Sequence, residues 1–152
     1  KNTGMAIIND TIDVNEQRDY GKHWSECIHP KNKEDVGLRL AYLTLAKDYG
    51  LDIVASGPIF KKYVTSGNTI RIIFEHTGRG LKWRDKNSSN HSFQISNDGS
   101  RFVKANARID GHTVILSGIS NPRYVKFAWS NIPTVNLVNS SGLPASSFRA
   151  VP

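Results

Sequence analysis

Cysteine is almost missing from this chain of 152 residues, which carries Cys27 and no other. An internal disulfide framework is thereby excluded, and so is any zinc site built on several thiolates. No apolar run approaches the ~18 to 20 residues that a membrane-crossing helix needs. The N-terminus also lacks the basic, apolar and small-residue order of a secretory leader. Acidic residues are the scarcer charge, 13 against 20 Lys and Arg, for a formal net charge of +7. The surplus is spread along the chain, densest at "KNK", "FKK" and "RGLKWRDK", and is not interleaved with aromatics in a nucleic-acid motif. It reads as a solvated basic surface, with no nucleic-acid partner expected. Repeats and low-complexity tracts are absent.

What is present is an apolar fraction of 38% beside 22% charged residues, the composition of a folded globular protein. The length suits one domain with a core, or a small domain carrying a piece of another. Two regimes divide the chain. In the first, "GMAIIND" predicts a short buried strand ending at Asn9 and Asp10. The run Lys33–Tyr49 has its apolar residues largely at helical spacing, with Gly50 at the C-terminal cap position. Between them lie roughly twenty polar residues without periodicity, a loop length that usually signals function or disorder. Strand, long loop and helix make an α/β pattern. Because the apolar run begins almost at once, the chain reads as if it started inside a domain.

The second regime is β. "NTIRIIF", "SFQIS", "RFVKANARI", "HTVILSG" and "RYVKFAW" alternate or cluster as short strands between Gly, Asn, Asp and Ser turns, and Asp110-Gly111 marks a hairpin. The expected architecture is mixed: residues 1–50 as a strand-loop-helix piece of an α/β domain, residues 51–152 as an antiparallel β-sandwich. The segment 131–152 is expected to lie extended across a surface. Trp129 is expected in the core, and Trp83 is the better candidate for a ligand contact among Trp83, Trp129, Tyr63 and Tyr124.

Chemistry concentrates in "SECIHPKNK", residues 25–33. Three readings compete there. Cys27 two residues from His29 has the members of a thiol nucleophile and its base, but extended Cys-X-His forces no contact between them. His23, Glu26 and His29 have metal-ligating side chains at spacings that match no ligand motif. Glu26 three residues ahead of His29 has the carboxylate-histidine order of a serine triad, in which the carboxylate fixes the imidazole tautomer and the imidazole takes the serine proton. The bland reading is that His29 abuts a helix start.

"NTGMAII", "IHPKNKEDVGLRLA", "AKDYG", "SGPIF", "RFVKANARIDGHTVILS" and "VKFAWSNIPTVNLVNSSGLPASSFR" together resemble the C-terminal portion of the sialate O-acetylesterase family, carbohydrate esterases of SGNH type. The likeness runs from residue 3 to residue 149, and "IHPKNK" and "LVNSSGLPASSFR" are its most specific parts. It implies an SGNH-type α/β piece for residues 1–50 and an accessory β-sandwich for 51–152. It gives His29 the role of catalytic histidine in removing acetyl groups from sugars. Many relatives carry Asp beside the Ile-His pair where this chain has Cys27, which leaves three alternatives for the orienting carboxylate: Glu26, Asp10 or neither. No cofactor or metal is implied. The blocks with the nucleophilic serine and the oxyanion donors have no counterpart here. Ser25, Ser56, Ser66 and Ser88 sit in polar turn-like contexts. The expected partner is therefore the N-terminal portion of the same enzyme, without which this chain is expected to be inactive. The family points to a secreted or periplasmic home. The competing reading is a non-catalytic β-sandwich that binds carbohydrate or joins domains.

Overall fold

The computed structural model describes residues 3–12, 30–88 and 91–152. Among the described residues one helix, α1 (Lys33–Lys47), precedes ten strands. Asn32 caps it by accepting from the Asp35 amide at 3.0 Å. Glu34 and Asp35 in the first turn and Lys47 in the last complement the helix dipole. At the other end the Asp48 amide closes on the Thr44 carbonyl at 2.8 Å. Gly50 then adopts φ +67°, the left-handed turn that its cap position implies.

β1 (Ile59–Ser66), β2 (Thr69–Glu75), β7 (Thr113–Ser117) and β6 (Asn106–Asp110) form one antiparallel sheet in the order β1-β2-β7-β6. β10 (Phe148–Ala150), β8 (Tyr124–Phe127), β4 (Phe93–Ser96) and β5 (Val103–Lys104) form a second, in the order β10-β8-β4-β5. β3 (Leu81–Trp83) and β9 (Leu137–Asn139) make a two-stranded ribbon. Asp110 pairs with Thr113 across a turn with Gly111 at φ +59°, so the Asp-Gly hairpin is present.

Period-2 alternation explains the core. Ile70, Ile72 and Phe74 of β2, Val114 and Leu116 of β7, Phe93 and Ile95 of β4, and Val125 and Phe127 of β8 share one buried cluster. Aromatic stacking crosses the sheets, where Phe148 of β10 lies 4.5 Å from Phe60 of β1, and continues within one sheet, where Phe148 lies 5.8 Å from Phe127 of β8, centroid to centroid.

Three expectations are corrected. Residues 3–8 form no strand: an isolated extended segment has no ladder neighbour, and the Ile7 carbonyl accepts from the Arg39 side chain instead. The segment 131–152 does not lie across a surface. It supplies β9 and β10, and Val135, Leu137, Val138 and Ala145 are buried. Two asparagines make this possible, because a buried backbone needs partners wherever it leaves the ladder. The Asn139 amide donates to the Ser56 and His76 carbonyls, both at 3.0 Å, and its oxygen accepts from the Ser141 and Leu143 amides. The Asn136 side-chain oxygen accepts from the Asp85 backbone amide, and its nitrogen donates to the Asp85 carbonyl. Finally, Trp129 is 56% exposed, not core. Ala128 at φ +49° breaks the β8 alternation and turns the indole outward.

Candidate functional site

The described residues around the segment 13–29 are organised by one carboxylate. Asp10 sits in a turn, its side chain 4% exposed. Its Oδ1 accepts from Arg39 at 2.5 Å, while Oδ2 accepts from Arg39 at 3.1 Å and from Arg84 at 2.6 Å. Arg39 is the buried residue of α1 and also reaches the Ile7 carbonyl at 2.8 Å and Asp35 at 3.2 Å. Burial opposes the charge on Asp10. Hydrogen bonds and attraction from Arg39 and Arg84 outweigh it and hold the carboxyl below its ordinary range. The planar guanidinium suits this bidentate geometry where a lysine would not.

Asn9 provides a second tie. Its amide donates to the Ala145 carbonyl at 3.1 Å and to the Ser147 hydroxyl at 3.0 Å, while its buried Oδ1 has no hydrogen-bond partner among the described residues. With Arg84 and Asn9 each reaching across, residues 3–12 join α1 to the β body through polar contacts.

Two clefts flank these ties. Asp10, Thr11, Ile12, Asn32, Arg84 and Pro133 are among the residues around a polar one of about 300 Å³. Ile7, Asn9, Ile12, Pro30 and Ser147 are among those around a more apolar one of about 330 Å³. Ile12 and Pro30 thus meet at one cleft, and they are the residues directly before and after the segment 13–29. His29 and Glu26 lie outside the described residues, as do His23, Ser25 and Cys27. Asp10, the other carboxylate considered for that role, already has both oxygens in arginine pairs.

Of the remaining histidines, His76 is exposed, and His91 and His112 have side-chain partners. His91 stacks on Trp83 at 3.9 Å, and burial with the nearby Lys104 charge lowers its pKa. His112 Nδ1 lies 2.7 Å from the Thr77 hydroxyl, joining the loop after β2 to the β6–β7 turn. The Ser56 hydroxyl donates to the Gly57 carbonyl. Among the described residues no group of three or more His, Cys, Asp or Glu could hold a metal ion, and no helix is long and apolar enough to cross a membrane.

Sequence reasoning missed the two arginines on Asp10. A signal existed: Arg39 stands amid Leu38 and Leu40, and a cation inside an apolar helical run implies a buried partner.

No protein-family model matches the chain, and no curated relative does. Among solved structures, the chain is similar to a carbohydrate acetylesterase from Xanthomonas citri, with 37% identity and a TM-score of 0.75. The match covers 81% of this chain and 29% of that protein, so the chain corresponds to less than a third of its solved relative.

Proposed function

We propose that this chain is the C-terminal part of a carbohydrate O-acetylesterase of the sialate O-acetylesterase type, working by a Ser-His-carboxylate mechanism whose serine lies in the N-terminal portion of the same enzyme. The observation that carries the reading is 37% identity to a carbohydrate acetylesterase over 81% of this chain. In this reading residues 1–50 complete an SGNH-type α/β domain and residues 51–152 are a β-sandwich beside it. The enzyme is secreted or periplasmic.

His29 is the general base. It takes the proton of the serine hydroxyl as Oγ attacks the acetyl carbonyl carbon, then returns that proton to the departing sugar oxygen as the tetrahedral adduct collapses. Acetyl-serine and the free sugar hydroxyl result. Water, deprotonated by the same imidazole, attacks the acetyl-serine carbonyl and releases acetate. Glu26 fixes the tautomer and stabilises the imidazolium. Asp10 serves a separate purpose, pinning with Arg39 and Arg84 the stem of the segment that carries His29. Alone, the chain has neither nucleophile nor oxyanion donors and is inactive.

In the larger enzyme, His29→Ala is expected to cut hydrolysis of an acetyl ester about 10⁴-fold or more while the circular-dichroism spectrum is kept. Glu26→Gln is expected to cost roughly a hundredfold to ten-thousandfold. Retained activity in His29→Ala removes the reading and leaves the non-catalytic β module.

A further inference from the structure

We infer that Trp129, with Ser130, Asn131 and Ser147, forms a stacking subsite for a neutral pyranose beside the cleft that Pro30 lines. The choice of a sugar rests on the acetylesterase reading above. The place and polarity of the subsite rest on the observations below.

The backbone departs from its pattern here. Along β8, Val125 and Phe127 face the core, so continued alternation would bury the next odd-numbered side chain, Trp129. Instead Ala128 takes φ +49°, a left-handed conformation that an L-residue with a Cβ avoids. Ala128 is itself 3% exposed, and its amide donates to the Ser92 carbonyl at 3.0 Å, so the unusual turn is held in place. Its effect is to bury a methyl group and present an indole. Backbone strain maintained to expose the larger apolar side chain is the reverse of what packing favours, and such outliers concentrate at binding sites.

The surroundings fit one chemistry. Ala128, Trp129, Ser130, Asn131 and Ser147 line a shallow cavity of about 410 Å³. The aromatic face suits the C–H face of a pyranose ring, and two serines and an asparagine offer neutral donors and acceptors to its hydroxyls. None of the five is charged, so a sialic acid carboxylate finds no counterion among them. Ser147 also lines the cleft shared by Asn9, Ile12 and Pro30, which makes the two cavities neighbours. A sugar stacked on Trp129 therefore occupies the cavity next to the one lined by Pro30, the residue that directly follows His29 in the chain.

The test is a titration of the ¹⁵N-labelled chain with xylotetraose, its acetylated form and N-acetylneuraminic acid, read on the tryptophan indole signals. The Trp129 signal is assigned from its loss in Trp129→Phe. Saturable movement of that signal with the xylo-oligosaccharides, unchanged in Trp83→Phe, is expected, and in Trp129→Ala the movement of the Ser130 and Asn131 backbone amides is expected to weaken about tenfold or more. No movement, or movement that persists at other positions in Trp129→Ala, overturns the subsite. A response to N-acetylneuraminic acid alone overturns its neutral character. Acetate release from 4-methylumbelliferyl acetate, which carries no sugar, reports the esterase reading separately in the larger enzyme. Activity there without movement at Trp129 removes only the subsite, and movement without activity removes only the esterase.

Discussion

Asp10 decides more of this structure than its size implies. Asp10 and Arg39 are both nearly out of water, so each depends on the other to offset desolvation, and breaking such a pair costs more than the pair itself contributes. Asp10→Asn is expected to destabilise the attachment of residues 3–12 to α1 by about 3 kcal/mol. In hydrogen exchange this appears as a loss of protection of roughly a hundredfold in the α1 amides. Replacing Arg39 by Met in the same protein should recover part of it, because the stranded cation is gone. The pH dependence follows from the sign of the shift. The Asp10 carboxyl sits lower in the folded protein than in the unfolded chain, so its contribution is complete above the unfolded value of about 3.9. Protection is expected to hold at neutral pH and to fade as acid carries the solution down through the folded value. Periodicity carries no trace of this. Sequence patterns report which face of an element is apolar, whereas a salt bridge between residues 10, 39 and 84 is a contact in space. The assignment of His29 has the opposite origin: its neighbours in the chain, Ile28, Pro30 and Asn32, carry the resemblance that proposes it, and the residue itself lies outside the described residues.

Helix α1 and the strands with clean alternation are readable because each one's signal is local. The helix run shows its period, its cap and its terminating glycine in one stretch, and β2 and β7 alternate Ile, Val and Leu on a single face. β1, β3, β9 and β10 escape a reading by pattern. β1 is an edge strand whose side chains are mostly exposed and which carries Lys61 and Lys62, a composition that protects an open edge and hides the pattern. β9 and β10 have three residues each and sit among serines and prolines that read as loop. The tail, held by the Asn136 and Asn139 hydrogen bonds, also passes very close to Gly57. A Cβ there would stand 1.8 Å from the Pro144 carbonyl oxygen, a backbone atom that cannot swing aside. Gly57→Ala is therefore expected to destabilise the β body by about 3 kcal/mol or more, measured as a lower urea midpoint. Gly67→Ala, with open space around it, is expected to show only the modest strain of its positive φ.

Taken together, the β body has a dense apolar core, while α1 and residues 3–12 hold to the rest by charge and amide contacts. The helix buries Arg39 and leaves Leu38 and Leu40 exposed, Tyr49, Leu51 and Val54 just after it are exposed too, and so is Met5 in the first segment. An apolar surface of this kind is the one expected to pack against the N-terminal portion in the proposed enzyme. Leu40→Lys with Leu51→Lys should therefore raise the solubility of this chain alone and weaken its association with that portion in a pull-down titration. A peptide of residues 30–50 should show little helix by circular dichroism, since a helix this short is marginal without tertiary support. The ion-pair cluster on Asp10 carries a further consequence, for evolution: replacing one of Asp10, Arg39 and Arg84 strands a charge on the others, so changes at these three positions are expected to arise together across lineages rather than singly.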